Sequence, residues 1–247
     1  MKFHFRWAVT ALFITALGAS SVSNAALVDQ GGGLIYDTDR NITWLANGNL
    51  AASNTFGLAT GVDLGPIPGV TTLGGSYIYS DGNMTWGGAL KWISAMNASN
   101  YLGFNDWRLP ATMQPDATCS IQYNGDPTGL NCTGSEMGHL FYQELGGVAG
   151  QDILFAHNTN YSLFQNLMSG DYWSGTEFYL GTGNAFTFAN YDGSQTGYSS
   201  ENLFAAIAVR GQAATPTVPV PTAVWLFGSG LLSLMGFARP SQKSLNR

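Results

Sequence analysis

The chain has 247 residues, of which 45% are hydrophobic and only 10% charged, with 32 glycines and a formal net charge of −6. Charge is spread unevenly: between residues 26 and 214 the basic residues are Arg40, Lys91, Arg108 and Arg210, against all fifteen carboxylates, a net of −11 for that stretch. A domain this acidic excludes nucleic acid as a partner and excludes any polyanion held by charge alone.

In chain order, Lys2 and Arg6 form a positive n-region, Trp7 to Leu17 an apolar stretch too short to span a bilayer, and Ser23-Asn24-Ala25 a small-x-small cleavage site. This pattern predicts a signal peptide over 1–25, a mature chain beginning at Ala26 and export across the inner membrane.

The stretch 26–211 has the size of one domain and carries no fixed-period repeat. Leu34-Ile35-Tyr36 and Ile42-Thr43-Trp44 flank the polar turn Asp37-Thr38-Asp39-Arg40-Asn41, which predicts a hairpin. Residues 46–80 are rich in Gly, Asn and Thr and read as loop, with a strand possible at Ser76 to Ser80. Thr85 can cap a helix whose positions Trp86, Ala89, Leu90, Ile93 and Met96 share one face. A second helix begins near Ser135, with Met137, Leu140, Phe141 and Leu145 on one face and Gly146 as its C-terminal glycine.

Strands are predicted at Asp171 to Glu177, Ala185 to Ala189 and Leu203 to Arg210, with a turn at Tyr191 to Ser194. Two helices followed by antiparallel strands make an α+β domain. Between the two halves lie Cys119 and Cys132, in a Gly/Pro/Asn-rich segment. In an oxidising compartment they are expected to pair, closing a loop worth about 3 kcal/mol in the chain-entropy model. Metal ligation is the alternative, but it lacks a second cysteine pair or a histidine cluster.

After a linker at 212–217 comes an apolar run, 223–238, preceded by Pro221 and followed by Arg239, Lys243 and Arg247. As a helix it reaches about 24 Å against a hydrocarbon core of roughly 30 Å, a short transmembrane segment whose basic flank stays cytoplasmic. The string Val218-Pro219-Val220-Pro221 and the run that follows it closely resemble a PEP-CTERM sorting signal, over 218–247. That resemblance implies an exosortase as partner, transient residence in the inner membrane, and a destination on the cell surface or in the extracellular matrix of a Gram-negative bacterium. The acidic residue between the family's prolines is Val220 in this chain.

Five segments in order, Gly33-Leu34 through Trp44, Thr85-Trp86 with Ala89, Asp106-Trp107-Arg108-Leu109-Pro110, Tyr172-Trp173-Ser174-Gly175-Thr176 and Ala208-Val209-Arg210, resemble the Lcl-C family. This is the C-terminal domain of Legionella collagen-like proteins. The family implies a C-type-lectin-like fold, related to the formylglycine-generating enzymes, and adhesion or polysaccharide binding; it supplies no catalytic residues. Residues 1–32 hold no collagen-like Gly-X-Y tract, so the trimer of the namesake is not expected, and the domain's charge does not suit a sulfated glycan.

Within the family string, Trp107 is expected in the core and Arg108 against a carboxylate or backbone carbonyls, a structural role preferred over a ligand-binding rim at Asp106. Asp37, Asp39 and Asn41 alternate like a calcium loop but lack its glycine and distant glutamate, so turn chemistry explains them. Asn190, Asp192 and Glu201 are the candidates for calcium; no other cofactor is expected. His139, on a helix, is expected to be partly exposed, and no motif orients a nucleophile. Tyr77, Tyr79, Tyr123, Tyr179, Tyr191 and Tyr198 are candidates for stacking on sugar rings. The function expected is a non-enzymatic lectin-like contact with neutral or weakly charged polysaccharide. The alternatives are structural matrix cargo or an enzyme of formylglycine-generating architecture.

Overall fold

A computed structural model describes residues 27–123 and 126–211. The predicted signal peptide, linker and sorting segment lie outside the described residues. Among those described, no helix is long and apolar enough to cross a membrane.

Strands β1 (Leu27–Gly31), β2 (Leu34–Asp37) and β3 (Ile42–Leu45) form an antiparallel meander, with the Asp37 to Asn41 turn closing the β2–β3 hairpin. Helix α1 (Trp86–Ala98) leads to the short β4 (Trp107–Arg108), then to the hairpin β5 (Ile121–Tyr123) and β6 (Asp126–Thr128). Helix α2 (Glu136–His139) continues as a π-helix over Leu140–Glu144. A second meander follows: β7 (Asp171–Phe178), β8 (Asn184–Ala189) and β9 (Gln195–Ser199). The final β10 (Val209–Arg210) returns to the first sheet between β3 and β4, giving the order β1-β2-β3-β10-β4. The domain is α+β with antiparallel sheets.

Two expected strands shorten. Ser76 to Ser80 contributes only a bridge, Ile78 with Met84. Leu203 to Arg210 is not one strand, because the segment crosses from one sheet to the other. Phe204 bridges Met84, Ala205 bridges Tyr172, and only Val209 and Arg210 pair with β3 and β4.

That crossing lies between two apolar clusters, and strand pleating sends alternate side chains to each. Trp44, Tyr172, Ala205, Ile207 and Val209 face the cluster containing Phe141 and Phe188. Their neighbours Leu45, Trp173, Ala206 and Ala208 face the cluster built on α1, with Trp86, Trp92 and Trp107. Burial on both faces explains why Ala205 to Val209 reads as an unbroken apolar run.

Both helices sit close against backbone. Thr85 caps α1, its Oγ1 accepting from the Gly88 N–H at 3.2 Å. A Cβ at Gly88 would lie 2.1 Å from the Tyr77 carbonyl oxygen, and one at Gly138 would lie 1.9 Å from that of Cys132. Glycine is what lets each helix pack this near. Cys132 is bonded to Cys119, so the disulfide fixes the segment against which α2 rests. Gly146, with φ +69°, takes the left-handed conformation that ends the π turn.

Candidate functional site

The Asp106 to Pro110 string ties five elements together. Trp107 is 2% exposed, and its backbone N–H and carbonyl are both held by the Asn97 side chain of α1, each at 2.8 Å. Arg108 makes two hydrogen bonds of 2.7 Å to the Glu136 carboxylate at the start of α2 and donates to the Gly211 and Leu109 carbonyls. The Pro110 carbonyl accepts from Gly175 and Ser174 of β7. Asp106 pairs with Arg210 of β10, whose guanidinium lies 3.7 Å from the centre of the Phe104 ring. These contacts give the string a scaffolding role.

The calcium candidates do not converge. Asn190 and Asp192 lie in the β8–β9 turn, where Asn190 donates to the Met168 carbonyl and Asp192 accepts from the Ser194 N–H. Glu201 follows the other end of β9, beyond the Asn184–Ser199 pair. The length of a five-residue strand, about 17 Å, separates them, too far for one ion.

Of the candidate tyrosines, Tyr79, Tyr191 and Tyr198 are exposed, while Tyr77 stacks on Tyr79 with ring centres 6.4 Å apart. The Tyr123 ring lies outside the described residues. Tyr179 is half-buried at the edge of an open cleft of about 680 Å³. Gln114, Asp126, Thr176, Glu177 and Leu180 also line it. Leu180 is 89% exposed, and Gln114 donates loosely to Asp126 at 3.4 Å. Carboxylate, amide and hydroxyl groups beside an aromatic ring and an aliphatic side chain suit a ligand with both hydroxyls and C–H faces.

A second cluster is buried. His139 is 7% exposed instead of partly exposed, and Asp37 and Glu144 are fully enclosed. His139 Nε2 lies 3.0 Å from Glu144 Oε1 and 3.8 Å from Asp37 Oδ2. Asp37 also fills the turn role expected of it, its Oδ1 accepting from the Asp39 and Arg40 N–H groups. Trp44 Nε1 approaches its Oδ2 at 3.4 Å. Glu144 is five residues beyond His139. In an α-helix that spacing points side chains apart; the π turn brings them onto one face. The sequence singles out Asp37 for its turn and His139 for its helix, and neither signal hints that they meet across a hundred residues.

Asp171, at the start of β7, is an acid raised by its surroundings. Burial, then the neighbouring Asp192 carboxylate, push its pKa up to about 6, against a hydrogen bond from Thr187 that lowers it.

Among known families, the Lcl C-terminal domain matches residues 33–210, most of the described structure. No curated protein and no solved structure matches the chain.

Proposed function

Because the chain belongs to the Lcl C-terminal domain family, we propose that it is an exported surface or matrix protein whose domain, C-type-lectin-like in architecture, binds polysaccharide. The signal peptide would carry it across the inner membrane, and an exosortase acting on the tail would sort it to the surface or matrix. The observation that carries the binding function is the cleft between Gln114, Asp126 and the Thr176 to Leu180 segment. Its polar groups match sugar hydroxyls, and Tyr179 and Leu180 offer apolar surface to ring C–H faces. Two carboxylates in its wall, on a domain of net −11, favour a neutral or weakly charged glycan over a sulfated one.

Residues 26–211 applied to an array of neutral and sulfated polysaccharides, with and without calcium, test this. Binding to neutral members is the expected result, and absence of binding throughout overturns it.

A second function, matrix cargo that packs against itself without sugar specificity, draws on Phe155 and Leu180, 88% and 89% exposed. Light scattering separates the two: self-association indifferent to added glycan favours cargo. The enzyme alternative has less support, since thiolate-bound copper would require the Cys119–Cys132 bridge to open.

A further inference from the structure

We propose that Asp37, His139 and Glu144 form a structural site for a divalent transition-metal ion, with zinc the best match. The three ligand atoms lie within 4.8 Å of one another, the one such group among the described residues. Ligands on a tetrahedral zinc at about 2.1 Å stand roughly 3.4 Å apart, and the observed 3.0 Å and 3.8 Å separations from His139 Nε2 bracket that value.

An independent observation concerns the same carboxylate. Glu144 is fully buried, and its Oε2 has no hydrogen-bond partner. A buried carboxylate oxygen without a partner is costly, and enclosing a second carboxylate, Asp37, nearby adds to the cost. A cation bound to both offsets both penalties. The donor set selects the ion: one imidazole nitrogen and two carboxylates suit zinc and its neighbours, whereas calcium takes oxygen ligands almost throughout.

The surroundings already orient the ligands as metal sites require. Two backbone N–H groups hold Asp37 Oδ1, leaving Oδ2 toward the imidazole. The side-chain amides of Asn158 and Asn160 both donate to the Glu144 carbonyl, fixing the end of the π turn. The site is unlike the calcium loop suggested by Asp37, Asp39 and Asn41, because only Asp37 contributes. A bound ion would clip the β2–β3 hairpin to α2, joining parts of the chain about a hundred residues apart.

The full-length chain, purified in detergent and stripped with chelator, is dialysed against zinc and assayed for metal content and thermal unfolding. One zinc per chain is expected, with the midpoint rising about 5–10 °C at free zinc a hundredfold above Kd. Asp37→Asn, His139→Gln and Glu144→Gln should lose the ion and the shift, while Asp39→Asn keeps both. If a variant fails to fold, cobalt added to the stripped wild type probes the same ligands: visible bands of a nitrogen- and oxygen-ligated ion, removed by competing zinc, support the site. Wild-type protein that retains no zinc and gives no cobalt bands overturns the proposal. So do folded triad variants that bind as well as wild type.

Discussion

Arg108 and Glu136 face each other through two parallel hydrogen bonds of 2.7 Å, joining the middle of the family string to the first residue of α2. Glu136 is almost wholly enclosed, and its Oε2 accepts a third hydrogen bond from the Ala111 N–H. Removing one partner strands the other charge in a dry setting, so Arg108→Met should cost about 2–4 kcal/mol in denaturant unfolding. Asp106 is 49% exposed at its side chain, and Asp106→Ala should cost under about 1 kcal/mol. A loss under about 1 kcal/mol from Arg108→Met would contradict the scaffolding role of the pair.

Gly138 tests how closely α2 packs. The methyl group of Gly138→Ala would meet a backbone carbonyl, that of Cys132, and not the yielding end of a side chain. The helix must shift, at a cost of about 2 kcal/mol or more despite the better helix propensity of alanine. Gly150→Ala, where a Cβ meets nothing within 4 Å but φ is +78°, isolates conformational strain and should cost about 1 kcal/mol.

The Cys119–Cys132 bridge closes a loop with a sequence separation of 13. Its loss in a Cys119→Ser/Cys132→Ser variant should cost about 3 kcal/mol, read as a fall in the unfolding midpoint that reductant reproduces in the wild type. A midpoint indifferent to both would show that the bridge does not restrain the unfolded chain.

Asp171 predicts a pH dependence. Its pKa is about 6 in the fold against 3.8 in the unfolded chain, so the folded chain holds the proton more tightly. Its contribution to stability is therefore complete below pH 3.8, falls as pH rises toward about 6, and is absent above that. Asp171→Asn should be more stable than wild type by about 1 kcal/mol at pH 7.5, allowing for solvent screening, and indistinguishable from it at pH 3.5. Thermal melts across this range check it, and a gain that does not vary with pH would rule out the carboxylate as the cause.

What the sequence made legible follows from local rules. Thr85 and the apolar spacing after it marked α1, Ser135 and Gly146 bracketed α2 with its π turn, and strands were expected where β7 and β8 lie. The β9 strand, Gln195–Ser199, was missed because its composition is polar and glycine-containing, as a strand paired with one neighbour along most of its length can be. The stretch Leu203 to Arg210 looked like one strand because Ala205 to Val209 is buried on both faces, a property of the two sheets around it. The Asp37, His139 and Glu144 cluster was hidden twice over, by distance along the chain and by a π-helical spacing that α-helical periodicity does not reveal. The cleft, likewise, gathers residues from 114, 126 and 175–180 that no local pattern links.

The most direct test of polysaccharide binding measures affinity for a neutral polysaccharide in the wild type and in Gln114→Ala/Leu180→Ser, two exposed cleft positions. Binding in the cleft predicts at least about a tenfold rise in Kd, a loss of about 1.4 kcal/mol, with an unchanged unfolding midpoint. A folded double variant that binds as tightly as the wild type would contradict it.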